Sequence, residues 1–231
     1  MQFDLAIETG PRHRKTMVHV PSLPGPVTIG PTTEAAVDAA PAAIRQRLAF
    51  LRRHGDEIPN AEPIEVAVTE EDTTGAWLGF GVAFFASDRL PISSRDVYRQ
   101  LAWATWSRQE LLDAALSLTV GGRAESADGR HVADVLRHVA GAEAGYLGSL
   151  VAPVAGMNAA RTAVERASDD LYPAMNRLRT IVVDRLSSLT ESERSDVVDR
   201  GKELRSARRV MRRMLEHEWE HLLELQARLP K

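Results

Sequence analysis

The stretch that decides both the fold and the candidate chemistry is EHEWEHLLEL, residues 216–225. It places His217 and His221 among charged residues and leucines, a pattern typical of an amphipathic helix. Side chains four residues apart share one helix face, with Cβ atoms roughly 5–6 Å apart, so both imidazoles can reach one metal ion. A third histidine, His138, lies on an earlier predicted helix. The three histidines predict a metal site that leaves room for water or substrate.

Two other interpretations of this stretch stay open. His217 and His221 lie to one side of the apolar stripe of their helix, so they either face a neighbouring helix or remain solvated among Glu and Arg side chains. The string His217-Glu218-Trp219-Glu220-His221 also matches the H-E-x-x-H pattern of zinc metalloproteases, in which the glutamate is a general base. The protease interpretation is disfavoured, because Glu218 falls on the apolar stripe and no histidine follows His221.

Outward from this stretch, helical periodicity extends over residues 93–231. Apolar residues recur there at three- and four-residue spacing, and the pattern predicts four amphipathic helices of about 20 residues each. Four such helices are typical of an all-α four-helix bundle. Their apolar positions run from Val97 to Leu118, from Val132 to Leu150, from Val164 to Leu189 and from Leu204 to Leu229.

Residues 1–92 mix strand and helix signals. A helix is predicted from a cap at Thr32 or Thr33 to about His54, and Pro41 is expected to kink it or to delay its start. The chain is therefore expected to be α+β, with a small N-terminal α+β domain (1–92) followed by the helical domain (93–231). Runs of apolar and β-branched residues predict strands at 3–7, 16–20, 27–29, 64–68 and 77–85.

Composition narrows the possible chemistry. The chain has 231 residues, a net charge of -3 and no cysteine, which excludes disulfides, thiolate ligands and cysteine nucleophiles. A mildly acidic chain has no general electrostatic reason to bind nucleic acid. The start lacks a signal-peptide pattern and no apolar run is long enough to cross a bilayer, so we expect a cytoplasmic protein with no membrane partner.

Two sets of charged residues require partners. Glu143 lies on the apolar stripe of the second predicted helix, where it either orients a ligand histidine or pairs with an arginine. An arginine cluster before the histidine pair is either an anion-binding patch or, as we favour, a solvated helix face paired with Glu203 and Glu216. The cluster consists of Arg205, Arg208, Arg209, Arg212 and Arg213.

Two motifs of the helical domain resemble the DinB-like superfamily. The segment DGRHVADVLRHVAGAE (residues 128–143) is similar to the second-helix signature of that family. There a ligand histidine is followed five residues later by an acid, matched here by His138 and Glu143. The stretch at residues 216–225 is similar to the fourth-helix H-x-x-x-H motif of the family.

This resemblance implies a metal centre and a chemistry for it. His138, His217 and His221 become the ligands of one divalent metal ion, zinc or nickel. The family includes thiol-dependent S-transferases and isomerases, so the implied substrates are a small-molecule thiol and an electrophile. Arginine or glycine often follows the last histidine in the family, whereas this chain has Leu222, which leaves the substrate side of the site undefined.

The first 70 or so residues resemble the HicB-like fold of antitoxins. The resemblance rests on PSLPG (residues 21–25), Thr28, Gly30, TEAA (residues 33–36) and Ile58-Pro59. Such domains are small α+β units and often dimeric, which implies a homodimer. A helical domain stands here in place of the DNA-binding element that follows this domain in complete HicB antitoxins, so DNA binding is not carried over.

Two functions from different classes remain. In the first, the helical domain is a metal-dependent enzyme, a thiol S-transferase or isomerase acting on a small molecule. In the second, the protein is a non-catalytic binding or regulatory module whose HicB-like domain mediates dimerisation or partner recognition. The intact histidine triad favours the enzyme, although no general base or other catalytic residue is assigned.

Overall fold

The computed structural model describes residues 1–9, 15–59, 62–73, 83–127, 129–151, 153–199, 201 and 203–230. The protein is a mixed α+β molecule, 60% helical, with a small N-terminal sheet followed mostly by helices, so the predicted α+β class is confirmed. No helix among the described residues is long and apolar enough to cross a membrane. In chain order the elements are β1 (Gln2–Thr9), β2 (Thr16–His19), β3 (Val27–Gly30), α1 (Thr33–Arg53), β4 (Glu65–Asp72), α2 (Ser94–Val120), α3 (Val132–Leu150), α4 (Met157–Arg166), α5 (Leu171–Ser187), α6 (Glu191–Ser195), β5 (Val197–Asp199), β6 (Leu204–Ser206) and α7 (Ala207–Arg228).

The chain divides into two compact units, and each unit is built from two separate segments of the sequence. The first unit comprises Met1–Pro91 and Val197–Glu216, and the second comprises Ile92–Asp196 and His217–Lys231. The predicted boundary after residue 92 placed everything that follows in the helical domain. In the structure, the β5–β6 hairpin and the first half of α7 instead belong to the first unit.

A four-stranded sheet in the order β3-β2-β1-β4 organises the first unit. β1 is antiparallel to β2, with Ile7 opposite Val18, and parallel to β4, with Phe3 opposite Val66. A parallel pair needs a long crossover connection, and α1 lies within that connection and packs against β2, β3 and β4. The buried apolar side chains of α1 follow helical spacing and fill the core beside the sheet: Ala36, Ala40, Ile44, Leu48, Phe50 and Leu51.

Local signals account for the bounds of α1. Thr32 is the N-cap, since its hydroxyl accepts a hydrogen bond from the backbone N–H of Ala35 at 3.2 Å. The helix runs through Pro41, so the expected delay of its start does not occur. The apolar face that the whole helix buries outweighs the one backbone hydrogen bond that proline removes. The strand predicted at 77–85 falls mostly outside the described residues, and 83–85 are not in a strand.

The second unit is helical, but the third predicted helix is not continuous. In place of one helix from Val164 to Leu189, the structure has α4, which ends at Arg166, and α5, which begins at Leu171. Pro173 explains the break, because its ring would clash with the carbonyl of residue 169 in an uninterrupted helix. In the first turn of α5 the missing N–H of this proline has no cost.

The fourth predicted helix also begins later than expected. Leu204 lies in β6, which pairs with β5 in a short antiparallel hairpin, and α7 begins at Ala207. Gly201 in the connection has a φ of 79°, a left-handed conformation that suits glycine. Strands of three residues are too short to show an alternating pattern, so this hairpin has no recognisable signal in the sequence.

The arginine-rich start of α7 is buried, so the expected solvated helix face is wrong for much of it. Arg212 donates to Asp88 Oδ2 at 2.7 Å and to Glu216 Oε2 at 3.1 Å, and Arg213 donates to Glu216 Oε2 at 2.9 Å. Burial alone would raise the pKa of Glu216, but the charges of Arg212 and His19 hold it far below its usual range. Buried charges need such partners. The buried members of the cluster are Arg209, Arg212 and Arg213, at 2%, 2% and 3% exposure.

Candidate metal centre

Three histidines of the second unit, carried by two helices, converge on one point. His138 comes from α3, and His217 and His221 come from successive turns of α7. One ring nitrogen of each lies within 4.8 Å of the others, and the Nε2 atoms of His138 and His217 are 2.9 Å apart. Among the described residues this is the one group of three or more metal-binding side chains that meet in this way. The structure therefore brings together all three histidines that the sequence singled out.

The site has a buried side and an open side. His221 is 7% exposed, His217 is half-buried and His138 is exposed. Partial burial and then the charges of His221 and Arg130 lower the pKa of His138, which favours the neutral ring that a metal ion requires. An all-imidazole donor set suits several divalent metals, among them zinc, copper, iron and nickel, and the exposed edge at His138 leaves access for a further ligand.

Glu224 orients the buried histidine. His221 Nδ1 lies 2.6 Å from Glu224 Oε2, and Arg130 donates to both oxygens of the same carboxylate at 3.1 and 3.2 Å. Burial would raise the pKa of Glu224, but the hydrogen bond with His221 and the charge of Arg130 keep it below its ordinary value. An ionised carboxylate on Nδ1 leaves Nε2 free to bind metal. The sequence motifs did not assign this role to Glu224, although its three-residue spacing from His221 was a usable signal.

Glu143, the residue considered as an orienting partner of a ligand histidine, pairs with arginines instead. Its Oε2 accepts from Arg108 Nη2 at 3.0 Å, and its Oε1 lies 2.9 Å from Arg179 Nε. This was the second of the two alternatives that the sequence left open. At 4% exposure the carboxylate is buried, and both of its oxygens face a guanidinium.

The protease interpretation finds no support in the geometry. Glu218, which would be the general base, is 3% exposed and contacts Arg108 at 2.8 Å as well as Arg179. Burial alone would raise the pKa of Glu218, but the charges of the two arginines lower it. A carboxylate held in this way is a weak base and has no open path to a substrate.

Open space flanks the histidines along α3. A Cβ atom built at Gly141 or at Gly145 would meet nothing within 4 Å apart from its own helix. The ring of Tyr146 lies edge-on to His217 at 6.1 Å between centroids, so it borders the same side of the site.

Comparisons with known proteins add no information on identity. No family model matches the chain, and neither the curated proteins nor the solved structures compared with it yield a match. The resemblances to the DinB-like and HicB-like families therefore rest on the sequence motifs alone.

Proposed function

We propose that this is a divalent-metal-binding protein in which His138, His217 and His221 hold one zinc or nickel ion. The observation that carries the proposal is the convergence of the three imidazoles to within 4.8 Å. The contact between Glu224 and His221 supports it, because histidines that bind metal commonly donate their other N–H to a carboxylate. In this proposal the helical part is a DinB-like four-helix bundle, as its two motifs suggest.

The chemistry that we propose is thiol transfer or isomerisation of a small molecule. If His138, His217 and His221 held a metal ion, the ion would have a position for one more ligand and would lower the pKa of a thiol or a water there. The chain has no cysteine, so the thiol must belong to a substrate. The protein's own residues would hold the ligands in place, with Glu224 fixing His221. The exposed side of His138 would be the side from which a substrate approaches.

A second candidate function is a binding or regulatory module. It is considered because the proposed metal ligands all come from one of the two units. All three histidines and Glu224 come from the second unit, so the first unit supplies none of the proposed ligands. In this alternative the first unit is a HicB-like domain that forms a homodimer or recognises a partner, and the histidine site has no catalytic role.

Metal content separates these functions at the first step. The untagged protein should contain about one zinc or nickel ion per chain, and the double variant His217→Ala, His221→Ala should contain none. His131→Asn is the matched control, because it removes a histidine from the N-cap of α3 and keeps a side chain that can cap the helix. Absence of metal from the wild type after incubation with zinc and nickel would leave the binding module as the better proposal.

Activity is then tested on the metal-loaded protein. Loaded wild type should accelerate the reaction of low-molecular-weight thiols with small electrophiles, whereas the double variant should not. A protein that holds one ion tightly and shows no such activity would retain the metal site and lose the S-transferase assignment.

A further inference from the structure

A closed ring of four buried charges joins four helices of the second unit. Arg108 Nε donates to Glu218 Oε1 at 2.8 Å, and Arg108 Nη2 donates to Glu143 Oε2 at 3.0 Å. Arg179 contacts the other oxygen of each carboxylate, Glu143 Oε1 at 2.9 Å and Glu218 Oε2. The charges alternate around the ring and cancel. The four residues lie on α2, α3, α5 and α7 and are each 9% exposed or less.

Stability alone does not explain such a ring. Taking charges out of water is costly, and apolar residues of similar volume in place of a buried ion pair are often neutral or stabilising. What apolar side chains do not supply is direction. A hydrogen-bonded carboxylate accepts only from certain angles and distances, so each of the three hydrogen bonds in the ring restricts the rotation of the helices that it joins. The fourth contact, between Arg179 and Glu143, is an ion pair that closes the ring. The ring is therefore better suited to setting helix orientation than to adding stability.

The two carboxylates of the ring lie on the two helices that carry the histidines. Glu143 follows His138 by five residues on α3, and Glu218 directly follows His217 on α7. At about 100° per residue, Glu143 lies about 140° around α3 from His138, and Glu218 lies about 100° around α7 from His217. Each carboxylate therefore faces a different direction from that histidine while sharing its helix backbone. A rotation of α3 or α7 that broke the ring would therefore also displace a histidine of the triad, because the two side chains share one helix.

We propose that the ring of Arg108, Glu143, Arg179 and Glu218 positions the histidine triad. It fixes the rotation of α3 and α7 so that His138 meets His217 and His221. These four are positioning residues that act through the helix backbones. The inference rests on the proposed function in taking a metal ion as the ligand. The convergence of the three imidazole side chains, however, is measurable without metal.

The test replaces the whole ring with apolar residues, Arg108→Met, Glu143→Leu, Arg179→Met and Glu218→Leu. The wild type, free of metal, should show nuclear Overhauser effects between ring protons of His138 and those of His217 and His221, whose centroids are 4.8 and 5.1 Å away. The fourfold variant should fold with an equal or higher Tm and lose these effects. It should also bind Co²⁺ at least about tenfold more weakly than wild type and with an altered visible spectrum.

A matched control removes a charge pair that does not join the histidine helices. Arg185 on α5 pairs with Glu193 on α6, so the variant Arg185→Met, Glu193→Gln should keep both the ring-proton effects and the Co²⁺ spectrum. A milder variant, Arg179→Met with Glu143→Leu, removes one balanced pair of the ring and keeps the Arg108–Glu218 contact. This milder variant replaces the fourfold variant in the test if the fourfold variant does not fold. It should weaken the nuclear Overhauser effects between the histidines.

Three results would overturn the inference. The first is a folded variant of the charge ring whose histidine nuclear Overhauser effects and Co²⁺ binding equal those of the wild type. The second is a wild type that does not show these effects. The third is failure of both charge-ring variants to fold. The last would mean that the ring is needed for folding itself. A wild type that shows the nuclear Overhauser effects between the histidines but binds no Co²⁺ would contradict the proposed function. The same effects, measured in the variants, would then decide whether the charge ring positions the histidines.

Discussion

His221 Nδ1 lies 2.6 Å from Glu224 Oε2, three residues further along the same helix. Side chains at this spacing are neighbours on a helix, so the contact is available as soon as α7 forms. Arg130 and Arg228 contact the same carboxylate and hold it in place. The relationship determines which nitrogen of His221 carries the proton and leaves Nε2 as the atom that can bind metal.

The first prediction follows from this contact. Glu224→Ala should weaken zinc or nickel binding by about 10–100-fold, because the ring of His221 loses the partner that fixes its orientation and tautomer. Glu224→Gln keeps an acceptor oxygen and should weaken binding less. Isothermal titration with zinc measures both effects. Glu220→Gln, an exposed change on the same helix, is the control and should leave the affinity unchanged. Equal affinities for all four proteins would show that Glu224 does not support the site.

The second prediction concerns the buried arginines of the first unit. Arg212→Met should lower the free energy of unfolding by about 3–5 kcal/mol, because it leaves the Asp88 and Glu216 carboxylates buried without their shared partner. Arg45→Met is the matched control. Arg45 pairs with Glu62 at 2.7 Å, but both side chains are half-exposed, so its loss should cost less than about 1 kcal/mol. Urea unfolding measures both changes, and similar costs would contradict the assigned burial.

The third prediction is a stabilising substitution beside the site. Gly145→Ala should raise the free energy of unfolding by up to about 1 kcal/mol, because alanine favours the helix interior and its Cβ meets open space. Gly30→Ala should be destabilising, since the new Cβ would lie 2.6 Å from the backbone nitrogen of Ala36. Thermal unfolding compares the two. A destabilising effect of Gly145→Ala would show that another group occupies that space in solution.

The fourth prediction concerns pH. The hydrogen bonds from Arg185 and from the backbone of Thr190 lower the pKa of Glu193 below its ordinary value of 4.5. The contacts therefore add stability above the unfolded pKa, and that stability is lost as the pH falls through the folded pKa. A carboxyl NMR titration should place the midpoint of Glu193 below 4.5, and Arg185→Met should raise it. Arg177→Met, an exposed change on the same helix, should leave the midpoint where it is.

Features set by a few neighbouring residues were predictable. The strands β1 to β4 and the helix α1 were expected close to where they lie, since alternation and the Thr32 cap act within a few positions. The helix α3 matches the predicted apolar stripe from Val132 to Leu150. The break before α5 was missed because its cause, Pro173, lies inside an apolar stripe that continues on both sides.

Features set by contacts between distant residues were not predictable. Arginines at 209, 212 and 213 have the composition of a solvated helix face, yet they are buried in the folded unit. There Arg212 meets Asp88 and Glu216, Arg213 meets Glu216, and Arg209 meets the carbonyl oxygen of Ala83. Likewise, the two options for Glu143 were equal in the sequence. The structure decided between them by placing Arg108 and Arg179 against it.

The sequence by itself determined that His217 and His221 share one helix face, because a four-residue spacing is converted into proximity by the geometry of any α-helix. It also determined the absence of a protein thiol, since the chain contains no cysteine. Only the tertiary structure decided that His138 joins the pair and that Glu218 faces arginines instead of a substrate. Those outcomes depend on how far α3 and α7 are rotated against each other, and side chains from several helices set that rotation together.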